Sequence, residues 1–407
     1  MKKLIFGLVA VLILFGAVIT FNQQPASKPV QSAQASNADA VAAPAAESAP
    51  AETPAPPEVH SLDYEAIRAL HPADEAAVTV EGESVNWGDY ADWIRTNGMQ
   101  YEDYFRQMGV YYGVAADWKG SIGDGSGMTY AEGLLSETND TIGSFLSIRA
   151  FAKEKGVELD AETLAEISPE HLAVDIVGED ATLEDLAARL EETSHMTVDN
   201  YRFYSETIML YAELFKELYG EGGEKLTEEE VIDALEAKGY LSAAHILFMT
   251  IDPMTGKELD AETIAAKREQ AEAVVKELRA IEDPEELVKR FAELKEQYCE
   301  DTGKEIYPDG YTFTPGTMVQ EFESAVKSMG DYEVSEPVQT SYGLHVIMRL
   351  PLSAESLLST ATGTPLKARR SVAQEGITEQ LDAYFAAHPA TYIEGLEELD
   401  LTKYIVE

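Results

Sequence analysis

The sequence predicts an α+β protein in two parts: a compact mixed domain over residues 240–352, attached to a mostly α-helical region over 60–239, behind an apolar N-terminal helix. Three observations carry that expectation. Apolar residues between 87 and 238 recur at helical spacing. From residue 241 the pattern runs strand, helix, helix, strand, helix, strand, strand within about 110 residues, the order of an α+β domain. Residues 4–21 form an unbroken apolar run behind Lys2 and Lys3, with no charged residue.

That run, over 1–21, has the form of an export signal, and two readings are open: an uncleaved anchor with its N-terminus inside, or a cleaved signal peptide. The small-x-small site Ala33-Gln34-Ala35 lies well beyond the apolar run. No cysteine follows the run closely, so a lipid anchor is excluded; both readings place the body outside the cytoplasm, in the first case as a single-pass membrane protein. Residues 22–59 hold 12 Ala and 7 Pro and no aromatic residue, the composition of a semi-extended linker that cannot offset its ordering entropy by burial.

Folded structure is expected from about residue 77. Ala77 to Val85 reads as a hairpin turning at Glu81-Gly82, and Asn86 caps a helix bearing Trp87, Tyr90, Trp93 and Ile94. Further helices are expected over 129–155, 181–192, 197–219 and 227–238; the third carries a wide aromatic stripe that packs a core and can leave apolar surface. Gly123 to Gly127 is glycine-rich but lacks the Lys and Ser/Thr of a phosphate loop, and reads as a plain loop.

In the second part, Leu241 to Thr250 is an apolar strand with His245, Leu247 and Met249 on one face. A long helix follows over 260–281, then one opened by Pro284 with Leu287, Phe291, Leu294 and Tyr298 at helical spacing. Thr312-Phe313 is a short strand, 318–329 a short helix, and 344–350 a final strand. Residues 353–365 read as a Ser/Thr-rich linker, and 366–387 as an amphipathic helix with Val372, Ile377, Leu381 and Phe385 within a tail over 353–407.

Charge and cysteine content bound the function. With 74 Asp+Glu against 30 Lys+Arg the net charge is -44, which repels a polyanion and argues against nucleic acid as partner. One cysteine makes neither an internal disulfide nor a thiolate zinc site.

Five segments carry a resemblance. Ala243-Ala244-His245-Ile246-Leu247, Tyr298-Cys299-Glu300-Asp301, the stretch from Phe313 through Met318 and Phe322 to Ala325, Val334 to Val338, and Tyr342-Gly343-Leu344-His345-Val346-Ile347 resemble, in order and spacing, the parvulin peptidyl-prolyl cis-trans isomerases. The apolar start, flanking helices and C-terminal helix resemble the layout of extracytoplasmic PrsA/SurA-type foldases. The resemblance implies a parvulin-like domain with a four-stranded sheet and surrounding helices, a chaperone-like helical domain on which the C-terminal tail packs, and, as partners, unfolded or nascent secreted polypeptides with X-Pro bonds, with the N-terminal helix in the membrane. His245 and His345 match the paired histidines, hydrogen-bonded across the floor of the site. Met318 and Phe322 match the residues that hold the proline ring, one helical turn apart. Asp301 falls where relatives have Cys or Asp; Cys299 is two residues early; Tyr342 stands where some relatives have Ser.

The implied catalytic set is therefore His245, Asp301 and His345, and the implied substrate-binding set Met318, Phe322, Phe313 and Tyr342. No cofactor or metal is called for, because isomerisation breaks no bond. One departure stands out: the usual Gly-Asp-Leu-Gly stretch is Pro308-Asp309-Gly310-Tyr311, without the leucine, so Tyr311 or Phe313 is left to fill the proline pocket. The loop 252–260, with one Lys and three acids, lacks the cations of a phosphate-directed isomerase. Three readings stay open: an isomerase foldase; a holdase whose parvulin fold only binds chains, its strand histidines satisfying each other and Met318 and Phe322 serving as packing; and a surface scaffold or adhesin, which gains only from the apolar start and the linker.

Overall fold

The computed structural model describes residues 59–112, 117–123, 125–359 and 365–406. The N-terminal anchor or signal helix and the linker lie outside the described residues. Among the described residues no helix is long and apolar enough to cross a membrane. The chain divides into two compact units, one of the described residues up to Leu214 together with those from Thr378 on, the other Phe215–Ile377.

The first unit opens on a short helix, α1 (Tyr64–Arg68), and the hairpin β1 (Ala76–Val80) and β2 (Glu83–Asn86). Glu81 and Gly82 both take positive φ, the two-residue turn whose twist matches a hairpin. Asn86 Oδ1 accepts the Asp89 N–H and starts α2 (Trp87–Tyr112), which buries Trp87, Tyr90, Trp93 and Ile94. Thr129 and Glu132 form a capping box on α3 (Tyr130–Glu154). Two short helices not anticipated from the sequence follow, α4 (Ala161–Glu166) and α5 (Pro169–Ile176), capped by Asp160 and Ser168. Next come α6 (Leu183–Ser194) and the aromatic α7 (Val198–Tyr219). The chain returns at its end: β9 (Thr391–Tyr392) pairs with β1, and Ile405 bridges to Leu62.

The second unit is built on one mixed sheet. After α8 (Glu228–Ala237), strand β3 (Leu241–Met249) is followed by α9 (Ala261–Leu278), α10 (Pro284–Tyr298), a 3-10 turn over Thr302–Glu305, β4 (Tyr311–Phe313), α11 (Gln320–Ser328), β5 (Val338–Gln339) and β6 (Gly343–Leu350). The sheet has six strands rather than four: the order β5-β6-β3-β4 is extended by β7 (Leu357–Leu358), parallel to β4, and β8 (Leu366–Lys367). The stretch read as a linker thus contains a strand. The last helix, α12 (Ala368–Ala387), buries Ala373, Ile377, Leu381 and Tyr384, spaced by four, four and three residues; Val372 and Phe385 are only partly buried, so the buried stripe differs from the expected one by half.

The two faces of the sheet have different tasks. Ala244, Ile246, Phe248, Val346 and Met348 join α9 and α10 in the larger core. Ala243 and Ile347, on the opposite face by the two-residue period, join Phe313, Phe322 and Val326 under α11. His245 and His345 stand on that second face.

Candidate active site

Strand register delivers the two histidines. In the antiparallel β3–β6 ladder His245 faces Ile347 and Leu247 faces His345, which makes the imidazoles diagonal neighbours on one face. Both are buried, at 6% and 5% exposure, and their rings meet edge-on with centroids 5.0 Å apart. The hydrogen bond across the floor that the resemblance implied is absent. His345 Nε2 lies 2.9 Å from Thr340 Oγ1 instead, and neither ring nitrogen of His245 finds a well-aligned partner. The ring planes cross at 66°, and His345 turns its Nε2 to the Thr340 hydroxyl.

Asp301 closes the polar side. As N-cap of the 3-10 turn it accepts the Gly303 N–H at Oδ1, 2.9 Å, and the Tyr311 hydroxyl at Oδ2, 2.7 Å. The same Oδ2 stands 3.1 Å from His245 Nε2. Beside that imidazole, and against the opposing effect of burial, the carboxyl is held far below the usual carboxylate range. Burial alone would push the His245 imidazole down; Asp301 and the neighbouring Cys299 outweigh it and carry the net shift upward. His345 has no such carboxylate contact. Burial, with positive charge on His245 adding to it, pushes it down to about 3, so it is neutral near pH 7.

Phe322 joins the polar and apolar sides. Its ring, 3% exposed, meets His245 at 5.4 Å, His345 at 5.6 Å and Phe313 at 6.0 Å. Met318 packs against the same cluster but stays half-buried. It does not sit on the helix with Phe322 as expected: Val319 is extended at ψ 142 and α11 begins at Gln320. Glu323 reaches back to accept the Gly316 N–H at 2.8 Å, which fixes the turn carrying Met318.

Six of the seven expected residues therefore converge: His245, His345, Asp301, Phe313, Phe322 and Met318. Tyr342 does not. It lies in the turn before β6 with its side chain half exposed and no ring contact to the others among the described residues. Two partners were not singled out as site residues. Thr340, which also accepts the Tyr342 N–H, gave no signal in a Ser/Thr-containing turn. Tyr311, considered only as pocket filler, stacks on His245 with centroids 5.5 Å apart and planes 5° from parallel. A cavity of about 350 Å³ lies on the other face of the sheet, against Ser242, Ala244, Thr312 and Met348, and contains none of these residues.

Residues 245–350 match the family model of the PPIC-type PPIASE domain, named rotamase. The chain carries a parvulin-type isomerase domain. Strands β4 to β6, the part of β3 from His245 on, and every converging site residue fall within the match. Among curated proteins the chain is 52% identical over 60 residues to "Foldase protein PrsA 1" of Bacillus cereus, covering 14% of this chain and 21% of that one. It is 30% identical over 161 residues to "Foldase protein PrsA" of Oceanobacillus iheyensis, covering 39% and 46%. The chain thus spans from about a fifth to about half the length of these curated relatives. A crystal structure described as peptidylprolyl isomerase (PrsA) from Bacillus cereus aligns over 82% of this chain and 98% of its own at 16% identity and a TM-score of 0.28, a likeness that carries no argument.

Proposed function

We propose that the protein is an extracytoplasmic foldase whose parvulin domain catalyses cis-trans isomerisation of X-Pro bonds in secreted or cell-surface polypeptides. The observation that carries this reading is the meeting, on one sheet face, of an apolar pair, Met318 and Phe322, with the polar group His245, Asp301 and His345.

The chemistry asks little more. An X-Pro bond crosses a barrier of about 18–20 kcal/mol and turns over in tens to hundreds of seconds uncatalysed. In the twisted amide resonance is lost, so a pocket that binds the twisted form better lowers the barrier by the difference. Each factor of ten corresponds to about 1.4 kcal/mol. The proline ring packs on Met318 and Phe322, while the buried imidazoles present a polar wall to the rotating amide. Asp301 and Cys299 raise the proton affinity of His245 while His345 stays neutral, so the two imidazoles present unlike polar edges. No phosphate is required of the substrate: Asp252 folds its loop through the Met254 and Thr255 N–H groups, and the loop 252–260 carries one Lys against three acids. The remaining assignments belong to the same proposal: an N-terminal segment that holds the body at the cell membrane, or is cleaved on secretion; a linker; and a chaperone-like helical part to which the C-terminal tail contributes.

Proline-limited refolding of a model substrate, run beside suppression of its aggregation, tests the reading. The full chain should accelerate the slow phase and His345→Ala should lose most of that acceleration while still suppressing aggregation. Aggregation suppression with no acceleration by the wild type would overturn the isomerase and leave a holdase.

A further inference from the structure

Asp301 has little capacity left for a substrate. Its Oδ1 accepts the Gly303 N–H at 2.9 Å, and its Oδ2 accepts the Tyr311 hydroxyl at 2.7 Å while standing 3.1 Å from His245 Nε2. One carboxylate oxygen is shared between a phenol and an imidazole whose rings are themselves stacked, 5.5 Å apart and 5° from parallel. A phenylalanine would stack as well; only a tyrosine also reaches the carboxylate.

The turn that delivers Tyr311 is held from both sides. The Tyr307 ring packs on it at 4.7 Å. The buried ammonium of Lys295 donates to the Tyr307 and Pro308 carbonyls, each at 2.9 Å. Gly310, at φ +118, lets the chain pass so close to β3 that a Cβ there would lie 2.7 Å from the Ala243 carbonyl oxygen. A side chain carried on a turn this constrained, and bonded to a group of the site, has its hydroxyl fixed in place before substrate arrives.

We propose that Tyr311 is a positioning residue of the isomerase site, its hydroxyl pinning Asp301 Oδ2 against His245 while its ring sets the plane of the imidazole. This rests on the isomerase reading above. It assigns Asp301 to orientation, acting through His245, and leaves Met318, Phe322 and the imidazoles to meet the substrate. It also gives a use to the stretch that departs most from the family pattern: the residue standing beside the missing leucine supports the polar side of the site.

Without the hydroxyl, Asp301 keeps the Gly303 N–H at Oδ1 and the His245 contact at Oδ2, but loses the bond that holds Oδ2 in place against the imidazole. The test uses the full chain with Tyr311→Phe, Asp301→Asn and the double variant. His245 titration is followed by NMR of labelled imidazole nitrogens, and isomerisation of a short X-Pro peptide is followed against pH. The expected result is a lower His245 midpoint in Tyr311→Phe, a fall in kcat of about five-fold with KM little changed, and a pH profile displaced with the midpoint. Because the phenol acts through the carboxylate, Tyr311→Phe should add nothing once Asp301 is Asn. An unchanged His245 midpoint and profile in Tyr311→Phe, or effects that simply add in the double variant, would overturn the proposal. Absence of isomerisation by the wild type would instead defeat the functional reading, and the His245 titration would still decide the role of Tyr311.

Discussion

Phe322 and Met318 sit side by side in the same apolar cluster, yet their burial separates structure from chemistry. Phe322 is 3% exposed and touches both imidazoles, so Phe322→Ala leaves a cavity and should cost about 3–5 kcal/mol, removing site and stability together. Met318 is half-buried at the edge, so Met318→Ala should cost under about 2 kcal/mol by urea denaturation while activity falls about ten-fold or more. Equal losses of stability in the two variants would contradict this division. The histidines make a pH prediction of definite sign. His345 titrates near 6.5 when unfolded but at about 3 when folded, so as pH falls the unfolded chain takes the proton first. Its contribution is full above about pH 6.5 and declines below it. His245, shifted the other way, contributes fully below about pH 6.5 and loses that contribution as pH rises through its folded value. Asp301, held low, contributes above about pH 3.9 and fails only in stronger acid. His345→Gln should therefore show a smaller drop in urea midpoint from pH 7 to pH 4 than the wild type; an equal drop would argue against a neutral buried His345. The identities of these residues were legible because their types and spacing repeat a known pattern. Their partners were not: that Thr340 rather than His245 bonds His345, and that Tyr311 reaches Asp301, depends on ring tilt and on a turn, which spacing does not encode.

The β3–β6 ladder sets where both imidazoles stand, and Gly343 is its tightest point. A Cβ there would come within 2.2 Å of the Phe248 carbonyl oxygen and 2.8 Å of Met249 Cα. Gly343→Ala must displace the start of β6 and should lower stability by several kcal/mol, with faster hydrogen exchange in β3. Normal protection of the Leu247 and Phe248 amides in that variant would show the approach to be looser than described. Long elements with strong periodicity were readable in advance: α2 from its Asn86 cap and aromatic stripe, α10 from Pro284, the β1–β2 hairpin from Glu81-Gly82. Elements of two residues were not, since β7 and β8 are too short to show a period and are specified by pairing with β4 and with each other. The late start of α11 has the same origin. Val319 carries no side-chain cap, so nothing in the residue type marks where the extended turn ends.

Across the whole molecule, the charge of -44 argues against a nucleic-acid partner, and on the foldase reading it also suits a body that stays soluble while handling apolar chains. The C-terminal residues are structural parts of the first unit: β9 pairs with β1, the Val406 N–H bonds the Ser61 carbonyl, and Asp63 N–H bonds the Tyr404 carbonyl. Trp87, Trp93 and Trp118, all of the tryptophans in the chain, are buried in that unit, so tryptophan fluorescence reports on it selectively. Truncation after Ala387 should lower the thermal midpoint seen by fluorescence, and an unchanged midpoint would show these pairings to be dispensable. The central claim, that the parvulin domain isomerises X-Pro bonds by a clamp of Met318 and Phe322 beside paired imidazoles, is tested most directly by two-dimensional NMR exchange between the cis and trans forms of a short apolar X-Pro peptide. Exchange cross-peaks should appear on adding catalytic amounts of the full chain and weaken about ten-fold or more with Met318→Ala. Exchange no faster than in peptide alone, or equally fast with Met318→Ala and His345→Ala, would contradict it.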